Sequence, residues 1–303
     1  MTALDPTAAR VAQRRATAIG GMAVLIWSTL ALFTTATGRI PPFQLVAMAF
    51  AIAFLCAFLK WLVRGQSIVA QFNWPRPVWA LGIFGLFGYH ALYFLALKSA
   101  PAATANLINY LWPLCIVLFA VPLAGEKLRW WHLAGVALGL AGTAIVLLAG
   151  GGVEFSSAYV VGYLAALGCA VVWGLYSVLS RRFGQVPTDA VGAFCGAAAL
   201  LALLCHLAFE PTVWPTDLGE GLAVLALGIG PAGGAFFLWD IGVKHGDIRA
   251  LGALSYAAPV LSTVLLVLFG RAVPSIGLLL ACLLVTAGAV LAARDLWARS
   301  DWN

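Results

Sequence analysis

The feature that most constrains this chain is a series of ten apolar runs, each about long enough to cross a bilayer as a helix. They cover about 17–37, 42–63, 77–97, 102–123, 130–149, 158–180, 188–209, 220–243, 248–269 and 274–293. Prolines mark several edges, at Pro41, Pro42, Pro77, Pro101, Pro187 and Pro274. Spanning strands would alternate apolar and polar residues, and these runs do not, so helices are expected. Of the 303 residues, 63% are hydrophobic and 9% charged. A water-soluble domain carries roughly 25% charged residues and could not cover its surface with so few. The expected class is an all-α membrane protein of ten transmembrane helices. The basic stretch at Arg10, Arg14 and Arg15 followed by an apolar run could be a leader. The length of that run favours a retained first helix.

The net charge of +6 does not point to nucleic acid, because the basic residues stand singly between apolar runs. They are placed as topology determinants. With the N-terminus inside, Arg10, Arg14, Arg15, Lys60, Arg64, Arg76, Lys127, Arg129, Arg181, Arg182, Lys244, Arg249, Arg294 and Arg299 fall on the inner side. Only Arg39, Lys98 and Arg271 of the 17 fall outside. Both termini are therefore expected in the cytoplasm. The six cysteines all fall inside apolar runs without a CxxC or metal spacing, and read as small buried apolar residues.

The chain also repeats itself. A shift of 146 residues puts Trp27 on Trp173, Gly82 on Gly228, Gly88 on Gly234 and Tyr93 on Trp239. It also puts Lys98 on Lys244, Tyr110 on Tyr256, Pro113 on Pro259 and Gly142 on Gly288, with one slip near Gly125 and Gly270. Residues 1–149 and 150–303 are expected to form two five-helix repeats. Five is odd, so the second copy enters from the opposite side. Two inverted copies give two near-equivalent states, each open to one face, which is the logic of alternating access.

Polar residues within apolar runs are costly unless they face a cavity or a partner helix. Asn106, Asn109 and Pro113 share a helix face with Tyr110 and Trp112 nearby; Ser255, Tyr256 and Pro259 repeat the theme. Tyr89, His90 and Tyr93 form a third group, and an ionisable group inside a span is a functional candidate. The plain alternative for each is an interhelical bond or a structural kink. Trp61, Trp74, Trp79, Trp130, Trp131, Trp214, Trp297 and Trp302 lie at segment ends, as interfacial anchors do. Trp27, Trp112 and Trp173 lie mid-span with Tyr176, where packing or an aromatic cavity wall would both suit them. Pro113, Pro259, Gly88 and Gly234 are candidate hinges. No carboxylate lies deep in a span, Asp240 being nearest, so strong ion coupling is not indicated. No phosphate loop, HExxH or GxSxG occurs, which argues against an embedded enzyme. A pure scaffold has no use for an inverted repeat.

Asn109-Tyr110-Leu111-Trp112-Pro113 followed by Gly125-Glu126-Lys127-Leu128, and Ser255-Tyr256-Ala257-Ala258-Pro259 followed by Gly270-Arg271, resemble the two repeats of the drug/metabolite transporter superfamily in its EamA form. The second copy lacks the glutamate. The first stretch, with Trp27-Ser28-Thr29 and Gly246-Asp247-Ile248, looks like the bacterial aromatic amino acid exporters of the YddG type. The resemblance covers nearly the whole chain. It implies helices around a central cavity in a monomer of the bacterial inner membrane, and no cofactor or metal. It also implies export of aromatic and other neutral amino acids, with a drug or other metabolite as the alternative. Under that reading His90, Asn106, Asn109 and Tyr110 meet the amino and carboxyl groups, beside Tyr89, Tyr93 and Ser255. Trp112, Trp173, Tyr176 and Tyr256 meet the side chain.

Overall fold

A computed structural model describes residues 6–149, 155–270, 274–292 and 294. Arg271, Arg299, Trp297 and Trp302 lie outside the described residues. Every regular element among those described is helical. Backbone in lipid has no water to bond, and a helix satisfies its own groups.

Among the described residues, nine helical runs are long and apolar enough to cross a membrane: α1 (Thr7–Thr35), α2 (Pro42–Val63), α3 (Arg76–Ser99), α4 (Thr104–Ala124), α5 (Trp130–Ala149), α6 (Ser157–Phe183), α7 (Ala190–Phe209), α8 (Leu218–His245) and α9 (Ile248–Leu265). A tenth, α10 (Ile276–Ala292), is also apolar but has 17 residues, about 25 Å at a helical rise. The expectation of ten spans is therefore met by length in nine, with α10 at the short limit. Outward-facing leucines such as Leu203, Leu204 and Leu207 on α7 are exposed, as a lipid-facing surface requires.

Several runs are interrupted. In α1 the helix breaks after Trp27, where Ser28 Oγ donates to the Leu25 carbonyl and Thr29 Oγ1 to that of Ile26. Such back-bonding bends helices. Both α3 and α8 contain a π turn, Phe84–Gly88 and Gly230–Gly234. These fall on each other under the 146-residue shift. Helix α4 breaks at Tyr110–Leu111, ahead of Pro113, and α9 at Ser255–Tyr256, ahead of Pro259. Gly125 and Gly270 both turn the chain with a left-handed φ, 69° and 67°; glycine adopts this without a Cβ clash.

Contacts between the halves come in mated sets. Helix α1 packs on α8 and α6 on α3; α1 on α9 and α6 on α4; α2 on α8 and α7 on α3. Helices α2 and α7, α4 and α9, and α5 and α10 meet their own counterparts. Several of these crossings need bare backbone. A Cβ on Gly20 of α1 would stand 2.8 Å from the Gly242 Cα of α8, and one on Gly135 of α5 2.6 Å from the Gly288 carbonyl of α10. Helix association in lipid relies on such close approach.

Two sequence expectations need correction. Trp61 is fully buried against Gly192, so it is a packing residue and not an interfacial anchor. Trp130 and Trp214, 64% and 69% exposed, do sit at the surface. The cysteines are all free, yet only Cys169 and Cys195 are buried.

Candidate functional site

A cavity of about 740 Å³ lies between the halves. Ligand pockets are typically 300–1,000 Å³. Its walls reach from mid-membrane aromatic rings to Thr37, Ile40 and Pro42 in the turn after α1, and to Lys98 near the end of α3. It therefore opens at the face opposite the N-terminus.

The floor is built from tryptophans. Trp27 sits centrally, its ring 5.2 Å from Trp239, 5.6 Å from Trp173, 5.9 Å from Phe236 and 6.4 Å from Trp112. Most of these contacts are edge-to-face, the arrangement aromatic quadrupoles favour. The Trp239 indole N–H donates to Ser177 Oγ at 3.0 Å, so the deepest ring is both packed and satisfied.

One wall is polar. Tyr93 donates to Asn106 Oδ1 at 2.7 Å, and Asn109 Nδ2 donates to the Tyr89 hydroxyl at 3.0 Å. The two phenol rings lie parallel, their centroids 6.0 Å apart. The spacing explains the pairing. Positions 89 and 93 are one turn apart on α3, and 106 and 109 one turn apart on α4. Two ladder rungs thus tie α3 to α4 and present amide and hydroxyl groups to the cavity. The Asn109 Oδ1 atom is buried and has no partner, an unmet acceptor at the cavity wall.

The π turns supply two more fixed groups. A π turn disturbs the i→i−4 ladder and commonly marks functional positions. Inside the α3 turn the Leu86 carbonyl accepts from His90 Nδ1 at 2.6 Å; inside the α8 turn the Pro231 carbonyl accepts from Trp27 Nε1 at 3.0 Å. A ring N–H therefore serves each interrupted ladder. The bond to a carbonyl fixes the His90 proton on Nδ1 and leaves Nε2 as the second ring nitrogen.

Tyr89, His90, Tyr93, Asn106, Asn109, Tyr110, Trp112, Trp173 and Pro259 all line this cavity. Three others singled out from the sequence do not. Tyr176 packs on Trp173 and fills the space beside Gly85, below the floor. Tyr256 is fully buried among Val117, Val136 and Val285, against Gly139. Ser255 is fully buried and its Oγ donates to its own helix at the Leu251 carbonyl, 2.7 Å away. Pro113 is buried in α4, outside the lining, and Gly88 and Gly234 end the two π turns. Sequence reasoning passed over Phe50, Phe236 and Thr34, which also form the wall. Apolar and hydroxyl residues of that kind carry no signal inside an apolar run.

The N-terminal side is closed by charge. Glu126 lies 3.4 Å from Arg181 and 3.5 Å from Arg249, joining the α4–α5 turn to the ends of α6 and α9. Asp247 pairs with Arg249 at 3.0 Å and caps α9, accepting from the N–H groups of Arg249 and Ala250. Burial pushes the Asp247 carboxyl up, but Arg249 and the two N–H groups outweigh it and hold it below the ordinary carboxylate range. Lys60 bonds Asp189, and Lys244 pairs with Asp240 at 2.8 Å.

A multi-helix membrane protein with an aromatic cavity open to one face and shut at the other has the form of a transporter. The sequence matches the EamA-like transporter family over residues 17–148 and again over 160–294. The chain belongs to that family. It is 56% identical to the aromatic amino acid exporter YddG of Ancylobacter novellus, over 91% of this chain and 96% of that one. It is 26% identical to the exporter of the same name from Escherichia coli K12, over 92% and 97%. A solved crystal structure that is 54% identical superposes with a TM-score of 0.90, covering 95% of this chain and 100% of the other. The protein is thus a multi-pass membrane transporter of a bacterial exporter family, and not an enzyme.

Proposed function

We propose that this transporter exports aromatic and other neutral amino acids by alternating access. The observation that carries the reading is the pairing of an indole floor with an amide–phenol wall in one cavity. An amino acid needs both, apolar faces for its side chain and fixed donors and acceptors for its charged ends. Trp27, Trp112 and Trp173 would take the side chain. His90, Asn106, Asn109 and Tyr110, with Tyr89 and Tyr93, would take the amino and carboxyl groups. Their positions in the cavity support these roles, and the names of the relatives support the substrate class.

In this reading the ten helices form two inverted repeats, 1–149 and 150–303, within a monomer. The matched π turns, the matched breaks and the mated contacts support it. Both termini lie in the cytoplasm, as the distribution of Lys and Arg argues, so the open cavity faces outward across the inner membrane. Gly88, Gly234, Pro113 and Pro259, at or beside the interruptions, act as the hinges. Counterflow in liposomes tests the function. Radiolabelled tryptophan, phenylalanine and threonine should enter vesicles loaded with the same amino acid. If none flows or competes while unrelated drugs do, the amino acid reading fails and a drug exporter stands in its place.

A further inference from the structure

Below the indole floor, on the N-terminal side, is a narrow space of about 20 Å³. That is room for about one water. Its lining includes Ser180, Phe183, Val186, Asp240 and Lys244. Shifted back by 146 residues, these become Thr34, Thr37, Ile40, Phe94 and Lys98, and all five line the large open cavity. The same positions are pressed together in one copy and spread apart in the other.

The closed copy shows how the contact is made. Lys244 Nζ donates to the Val186 carbonyl at 2.9 Å. It also pairs with Asp240, which accepts from Thr188 Oγ1 at 2.7 Å. Both charged side chains are buried, 5% and 4% exposed. In the open copy Lys98 and Ile40 are both at the mouth, and Lys98 is exposed.

We propose that Lys98 is the gating residue of the open mouth. When that mouth shuts, Lys98 Nζ donates to the main-chain carbonyl of Ile40, as Lys244 now does to Val186. At the other face the Lys244–Val186 bond parts as the narrow space widens. The inference rests on the inverted-repeat reading above. The two gates are unequal. Phe94 stands where Asp240 supplies a counter-ion, and Pro42 where Thr188 supplies a hydroxyl. A shut outer gate therefore has only a carbonyl to hold its ammonium. This asymmetry favours the state with the Lys98 mouth open.

Hydrogen–deuterium exchange of the full chain in lipid nanodiscs tests this without any substrate. Backbone exchange is followed in residues 34–42 and 180–188. Lys244→Ala should speed exchange in 180–188 and slow it in 34–42, each by at least about tenfold, the effect of one charged hydrogen bond. Adding Lys98→Ala should return 34–42 to its original rate. Phe94→Asp alone, which installs the missing counter-ion, should slow 34–42. The proposal is overturned if 34–42 stays protected in the double variant, or if neither Lys244→Ala nor Phe94→Asp changes it. Failure of the amino acids in counterflow would leave these exchange results unaffected, so the two readings fail separately.

Discussion

Truncation of Asp240 gives a sharp test of the closed side. The carboxylate is 4% exposed, 2.8 Å from Lys244 and 2.7 Å from the Thr188 hydroxyl. With alanine there, the Lys244 ammonium stays buried and keeps only the Val186 carbonyl. Leaving one member of a buried pair uncompensated costs about 3–5 kcal/mol. Replacing both members removes the stranded charge and leaves only the Thr188 hydroxyl and the Val186 carbonyl, both at half-buried residues, at about 1 kcal/mol together. Asp240→Ala should therefore lose about 3–5 kcal/mol, and Lys244→Ala a comparable amount. The double variant should lose much less than their sum, with a coupling of at least about 2 kcal/mol. Denaturant unfolding in mixed micelles, followed by tryptophan fluorescence, measures all three. A coupling within about 0.5 kcal/mol of zero, or an Asp240→Ala loss below about 1 kcal/mol, would refute the claim that the pair is desolvated and mutually dependent.

Three further outcomes are expected. The Asp247 carboxyl is held low in the folded chain, so its stabilisation is present above the unfolded value of about 3.9 and fades as pH falls through the folded value. Asp247→Asn should lower stability by about 1–2 kcal/mol at pH 7, and the gap from the parent should shrink in unfolding curves taken toward pH 3. Asn109→Ala removes the donor to Tyr89 and should weaken substrate in counterflow by roughly 5–30-fold, with the amount of folded protein on size-exclusion nearly unchanged; an unchanged affinity would remove this rung from the site. Gly135→Leu puts a side chain where a Cβ already meets the Gly288 carbonyl at 2.6 Å, and should lose at least about 1–3 kcal/mol in thermal unfolding, whereas Gly221→Ala, with nothing within 4 Å, should gain up to about 1 kcal/mol.

Much of this was readable in the sequence because membrane folding leaves simple marks. Apolar length gave the helices, and prolines at Pro113 and Pro259 announced the breaks just before them. The spacing of Asn106, Asn109 and Pro113 anticipated a shared face, and family membership followed from the motifs. What failed was the transfer of a role from one repeat to the other. Tyr110 lines the cavity, but its match Tyr256 packs against Gly139. Matched positions share a sequence register, not an environment, once one face is open and the other shut. Asp240 showed the same limit. Its place near a span end was visible, but its neutralisation by Lys244 one turn on depends on how far that helix end is covered.

The mated contacts also bear on how the chain is made. Most of the interfaces described above join a helix of the first half to one of the second: α1 to α8, α2 to α7, α3 to α6, α5 to α10. During synthesis the first five helices enter the bilayer bearing surfaces cut for helices that do not yet exist. Gly20 and Gly135 then lie against lipid, with their partners Gly242 and Gly288 still untranslated. Domains elsewhere can fold as they emerge. Here the order of the polypeptide and the order of the structure are at odds, and the final shape waits for the last helix.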